Sequence, residues 1–263
     1  MESKDLIKAG RLSDARDQLV EEVKSSPADV GKRTLFFQVL ALCGEWDKAE
    51  RHLDVIASQD SAMGPGIQVY KDLIRGERER IDVQGLDKHP SFLPEAPGYM
   101  ETYYAALEKL IDKDIEQAKT LFGQVDEGRP VISGTVNGKD FIGIKDSDTF
   151  LSCFIEAIVH ERYVWIPIES IRELIISPPK TLFDLLWIEA SITTWEGLSM
   201  NCFLPVLYPE SFLHEDDRIR LGRMTCWDSL GGPFLRGIGQ HVFDVGEAEI
   251  PLPEMHEVLF KLS

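Results

Sequence analysis

The sharpest candidate for chemistry is the run His214-Glu215-Asp216-Asp217, which offers an imidazole and three carboxylates. A metal site draws its ligands from more than one segment onto one point, and this run is contiguous. It sits just before a charged helical stretch, so it is read as an acidic helix start, where carboxylates meet the positive end of the dipole. His52, His89, His160, His241 and His256 show no H-x-x-x-H or H-E-x-x-H spacing. Cys43, Cys153, Cys202 and Cys226 lie far apart among apolar neighbours and read as buried thiols of a reducing compartment. Cys153 or Cys226 would need a partner histidine and an activated thiolate to act as a nucleophile, and no local signature supplies them. Gly237-Ile238-Gly239 is a bare G-x-G on strand-like flanks, without the helix of a dinucleotide fingerprint, and is read as a bulge or tight turn. There is no phosphate-binding Walker loop and no nucleophile elbow. The residues therefore give no catalytic constellation, no metal set, no cofactor site and no small-molecule substrate.

The elements that position these groups fall into two kinds. In the first half a pattern repeats: Gly10, Leu12, Ala15 and Leu19 are matched by Gly44, Trp46, Ala49 and Leu53, each 34 residues on. That is the period of a tetratricopeptide helix–turn–helix, in which Gly turns the corner and Ala lets the helices approach. Pro27 falls where one unit ends. The spacing predicts helices over 3–9 and 12–25, 30–43 and 46–59, then one from Pro65 to about Val83. The segment 85–98, with Pro90, Pro94 and Pro97, is expected to be a loop covering the end of the solenoid. A further pair is predicted over 99–111 and 115–122, giving about three imperfect units.

At Gly128-Arg129-Pro130 the pattern changes to β-branched and aromatic residues with the Gly/Pro spacing of strands. Asn137-Gly138 marks a hairpin, His160-Glu161 the tip of a second and Glu196-Gly197 the turn of a third. A strand is predicted over 171–176, with room for helical turns at 146–154, 182–187 and 216–224. Tyr163 and Trp165 alternate with Val164 and Ile166, so one pair faces the core and the other could form an exposed aromatic strip. The expected fold is α+β in two domains. Residues 1–128 form a tetratricopeptide-like α-solenoid, and 129–263 an antiparallel β barrel-like domain with short helices.

The net charge is −17 over 263 residues, with no acidic tail. Such a field repels phosphate backbones and anionic membranes and suits a locally basic partner segment. Met1-Glu2-Ser3-Lys4-Asp5 carries no apolar signal core, and no apolar run is long enough to span a bilayer. The expectation is a cytoplasmic protein that binds neither nucleic acid nor membrane.

Several short strings, in their order after a helical half, resemble the ImpE family, also called TagJ, an accessory component of some bacterial type VI secretion systems. They are 156–167 (EAIVHERYVWIP), Asp184-Leu185-Leu186-Trp187, 205–211 (PVLYPES), 217–227 (DRIRLGRMTCW) and Gly239-Gln240. The resemblance implies a cytoplasmic, non-catalytic protein that binds the N-terminal helix of the small contractile-sheath subunit (TssB-like) and modulates sheath assembly or recycling. The alternatives are a general tetratricopeptide co-chaperone or scaffold, or a hydrolase carried by the C-terminal half.

Stacked helical hairpins curve, and their first helices line a concave face on which an amphipathic partner segment can lie. Projecting the repeat register onto that face selects Ile7, Lys8, Thr34, Gln38, Ala41, Gln68, Asp72 and Arg75 as partner-binding residues.

Overall fold

A computed structural model describes residues 2–59 and 61–261; Met1, Asp60, Leu262 and Ser263 lie outside the described residues. The chain opens with two helical hairpins, α1 (Ser3–Lys8) with α2 (Leu12–Ser25) and α3 (Val30–Leu42) with α4 (Trp46–Gln59). The long α5 (Gly64–Gln84) follows, then α6 (Met100–Ile111) with α7 (Ile115–Glu127). Leu12, Ala15 and Leu19 are fully buried, as are Ala49 and Leu53 of the second hairpin, so the repeated positions are the ones that pack. Both corner glycines take the left-handed conformation, φ +77° at Gly10 and +69° at Gly44. The segment between α5 and α6 departs from expectation. Instead of covering the helices, it contributes β1 (Ser91–Phe92), which lies parallel to a strand of the second half, with Leu93 N–H bonded to the Trp165 carbonyl at 3.1 Å.

The second half supplies β2 (Ser133–Val136), β3 (Lys139–Ile142), β4 (Ile144–Asp146), β5 (Phe154–Val159), β6 (Arg162–Pro167), β7 (Ile171–Ile176), β8 (Trp187–Thr194) and β9 (Ser199–Pro205). After a four-residue α8 (Asp217–Arg220) come β10 (Thr225–Gly231), β11 (Phe234–Gly239), β12 (Val242–Val245), β13 (Ala248–Pro251) and β14 (Glu257–Lys261). Among the described residues nine strands form one sheet in the order β1-β6-β5-β9-β8-β7-β14-β2-β3, antiparallel throughout except at β1. The three predicted hairpins are β2–β3, β5–β6 and β8–β9, with φ +51° and +78° at Asn137 and Gly138 as an Asn-Gly turn requires. Among the described residues the sheet is not closed into a barrel, β1 and β3 being its two edges, so the α+β expectation holds without the barrel-like closure. The stretch 146–154 holds side-chain-bonded turns rather than a helix, Asp146 accepting from Asp148 N–H and Asp148 from Phe150 N–H, each at 2.8 Å.

Strand alternation assigns the two faces of this sheet. One carries Ile155, Ala157, Ile188, Ile192, Leu174, Val258 and Phe260, all buried. The other carries Glu156, Ile158, Tyr163, Trp165 and Trp187 at one end, and these are buried too, because the helical half packs there. A Cβ on Gly76 of α5 would stand 2.7 Å from Ile158 Cγ2, so only glycine lets the helix lie this close to the strand. Trp46 meets Trp187 at 6.1 Å between ring centroids, and Tyr70 meets Phe183 at 4.7 Å. The aromatic strip of Tyr163 and Trp165 is therefore internal, not exposed.

The helical corners also dock on the second half. Arg223 donates to the Ile7 and Lys8 carbonyls at 2.8 and 2.9 Å, and Asp217 accepts from Ser13 N–H and Oγ at 2.9 and 3.0 Å. A cation thus closes the carbonyl end of α1 while an anion 204 residues from Ser13 closes the amide end of α2. At Gly44 an added Cβ would overlap the Phe212 ring, and Gly231 and Gly232 lie against Ile115 at the α6–α7 corner.

Candidate partner-binding cleft

Along α5, Glu77, Arg80 and Gln84 recur at helical spacing and dip into the second half, all three buried. Arg80 Nε donates to Glu156 Oε2 at 2.9 Å, Nη1 to Glu77 Oε2 at 3.2 Å and Nη2 to the Leu207 carbonyl at 2.7 Å. Glu77 also accepts from Trp187 Nε1 at 2.8 Å. Tyr163 Oη donates to Glu156 and accepts from Trp165 Nε1 at 2.7 Å and Gln84 Nε2 at 3.1 Å. His241 lies between Glu156 Oε1 and Asp146 Oδ2, 2.8 Å from each, and Asp146 accepts from Tyr208 Oη at 2.8 Å. These partners come from α5, β4, β5, β6 and β8, so the network ties the two halves together. Buried charges carry a desolvation cost that only complete pairing offsets, and this pairing fixes a single packing geometry.

Burial disfavours charge on His241, but Asp146 and Glu156 outweigh it and raise the imidazolium pKa to about 9. Burial likewise opposes the Glu156 carboxylate, yet Arg80 and His241 hold it down at about 2. A raised folded-state histidine pKa stabilises fully below its ordinary value near 6.5, and that contribution disappears as pH rises through about 9. The expected result is a thermal midpoint falling between pH 6.5 and 9, a loss of roughly 3 kcal/mol at the alkaline end. His241→Gln removes that slope; equal slopes in both proteins would mean the histidine is not charged in the fold. On the acid side, the Glu156 contribution is complete above its ordinary pKa of 4.5 and is lost as pH falls toward 2.

Toward the N-terminal end of α5 the helix and sheet part. Here Val69 and Asp72 face Ile158, Ile175, Glu189, Ser191, Asn201 and Phe203 across a cleft of about 530 Å³, with the hairpin tip at His160 beside it. Gln68 donates to Asp72 at 2.7 Å, and Arg75 pairs with Asp72 at 3.6 Å and with Glu161 of the same tip. The structure therefore brings Gln68, Asp72 and Arg75 together at one rim. It does not bring the other projected residues to this cleft. Lys8 is exposed and Ile7 buried on α1, where their carbonyls hold Arg223. Thr34 and Gln38 are half-buried on α3, and Ala41 is fully buried beside Trp46 and Arg80, with no surface to offer a partner. The β8 and β9 residues of the cleft escaped the projection onto the helices. Their signal was the alternation of Glu189, Ser191 and Thr193 with buried Ile188, Ala190 and Ile192, which marks a strand open on one face.

The acidic run resolves as helix chemistry. Asp216 caps α8 through Arg218 N–H at 2.8 Å, His214 Nδ1 accepts from Asp216 N–H, and Asp217 serves Ser13. Among the described residues no group of three or more His, Cys, Asp or Glu side chains could hold a metal ion. Cys153 and Cys202 are buried, with thiol pKa values pushed up by burial to about 11 and about 12, whereas Cys43 and Cys226 are only partly covered. No helix among the described residues is long and apolar enough to cross a membrane.

Residues 138–259 match the family model described as "ImpE protein". The chain is 33% identical to the type VI secretion system accessory component TagJ of Pseudomonas aeruginosa, a match covering 99% of this chain and 92% of that protein. It is also similar to an X-ray crystal structure of a protein from Vibrio parahaemolyticus, with TM-score 0.87, 22% identity, and coverage of 99% and 98% of the two chains. That last likeness shows the fold alone.

Proposed function

The chain belongs to the ImpE (TagJ) family, and on that premise we propose that it is a non-catalytic accessory protein of a type VI secretion apparatus. It binds a helical segment of the small contractile-sheath subunit and so modulates sheath assembly or recycling in the cytoplasm. The observation that carries the reading is the likeness to TagJ over 99% of the chain. The cleft between α5 and the sheet supports it, since its walls hold one free-facing apolar side chain, Val69, beside half-buried Ile175 and Phe203, as a groove for an amphipathic helix requires. Gln68, Asp72 and Arg75 form the helical rim of that site.

Titration calorimetry of the full chain against purified sheath small subunit tests this. Binding is expected with the intact subunit and is lost when its N-terminal helix is deleted; Asp72→Arg, which puts a long cation into the cleft, weakens it roughly tenfold. A subunit that binds equally well without its helix, or not at all, would overturn the proposal. A loss at Lys8→Glu as large as that at Asp72 would put α1 in the contact, and with it Ile7, Thr34 and Gln38.

A further inference from the structure

The helical half covers only one end of the sheet face it packs on. From β9 across β8, β7, β14 and β2 to the β3 edge the same face is open, and the register tells which side chains it presents. The row Ser199, Thr193, Glu173, Leu259, Thr135, Asp140 runs across it, with Phe203 and Glu189, then Asn201, Ser191, Ile175 and Glu257, on the α5 side of that row and Ser133 and Ile142 beyond it. Two features of this surface stand out. It carries apolar side chains that face water, Leu259 at 37% and Ile142 at 75% exposure, in line with the half-buried Ile175 and Phe203. It also carries Glu173, Glu189 and Glu257, none of which has a cation within salt-bridge distance among the described residues. Lys261 on the same face is paired with Asp140 at 2.7 Å, and exposed Arg172 stands in the β7 bulge beside Glu173.

We propose that this bare half of the sheet is the seat of a basic amphipathic helix, laid beside α5 in the same layer. A sheet face is stable when a second layer covers it, and α5 already sets the height at which a helix rests here. Charge selects the occupant: three unpaired carboxylates on a chain of net charge −17 favour Lys or Arg along the flanks of the helix, with its apolar stripe on Phe203, Ile175 and Leu259. Strands lie ~4.8 Å apart, so the span from β9 to β3 is roughly 24 Å, which a helix of about 16 residues crosses. The inference rests on the proposed function for the helical form of the partner, and adds the surface and the charge that it must carry.

The test uses the full chain and two labelled 18-residue peptides with leucines at helical spacing, one bearing lysines on its polar face and one glutamates, read by fluorescence anisotropy. The Leu/Lys peptide is expected to bind with an affinity that falls with salt, and the Leu/Glu peptide is not. Changing Glu173, Glu189 and Glu257 together to Lys should weaken the Leu/Lys peptide at least roughly tenfold, whereas Glu101, Glu108 and Glu127 to Lys, the same change of net charge on exposed faces of α6 and α7, should leave it within about twofold. Equal losses in both triple variants, or no loss in either, overturn the assignment. A chain that sediments as a dimer until the sheet carboxylates are reversed would give the face to a second copy and overturn it as well. Sheath subunit added to the same variants separates the two ideas. If it binds the sheet triple as it binds the parent, the surface falls and the accessory reading stands. If it binds neither while the lysine peptide still depends on the three carboxylates, the surface stands and the sheath reading falls.

Discussion

Replacing Arg80 by Met is expected to destabilise the chain by roughly 3–5 kcal/mol, the cost of leaving buried charge without its partner. Arg80 is 3% exposed and holds Glu77, Glu156 and the Leu207 carbonyl at once. Methionine fills much of the volume but donates nothing, so two buried carboxylates lose their cation and Glu156 is left with His241 and Tyr163. In urea the midpoint should fall sharply with little change in the slope, because the surface exposed on unfolding is nearly the same. Arg80→Lys should recover only part of the loss, since an ammonium cannot present a planar fork to acceptors on two elements. Adding Glu156→Gln and Glu77→Gln to Arg80→Met should recover more, by removing the stranded charges. A loss below about 1 kcal/mol for Arg80→Met would mean that water reaches the network and that it does little to hold the halves together.

The second large effect lies in the G-x-G of 237–239, which the sequence marks as a bulge or tight turn. Gly239→Ala is expected to cost more than ~3 kcal/mol, against about 1 kcal/mol for Gly138→Ala. Both residues have positive φ, +103° and +78°, so both substitutions strain the backbone. Only Gly239 is also enclosed. A Cβ there would overlap the Met224 carbonyl oxygen, whereas the Gly138 Cβ would meet nothing within 4 Å. Gly239 also receives the Tyr208 N–H at 2.7 Å and donates to Ser211 Oγ at 2.8 Å, so a shift to relieve the overlap would break the link between the segment after β9 and β11. Neighbouring Gly237 is closed off in the same way by the Tyr208 ring. The G-x-G is thus a place where two backbones and an aromatic ring approach, not a phosphate cradle. Comparable melting temperatures for the two variants would show that the Met224 carbonyl yields.

The proposed partner site in the cleft requires that the two halves keep a fixed relation, because the cleft takes one wall from each. Arg80→Met therefore offers a second reading: partner affinity should fall with stability, since Val69 and Asp72 are positioned by the same helix that Arg80 anchors.

What the sequence determined by itself was local. The Gly10 and Gly44 corners, the helices between them, the Asn137-Gly138 turn and the hairpin tip at His160 all follow from period, turn chemistry and left-handed φ, which act within a few residues. The same reasoning placed Gln68, Asp72 and Arg75 on one stripe of one helix, where they are. It could not tell that Ala41 is inside, nor that Thr34 and Gln38 lie away from the cleft that Asp72 lines. Only the tertiary structure brought Arg80 to Glu156, 76 residues away, and His241 to Asp146, 95 away. It alone decided which half of the sheet is covered and which is bare. The physical reason is that an apolar stripe states that a face must be buried but not by what, while a buried charge finds its partner through packing, and no spacing along the chain records that.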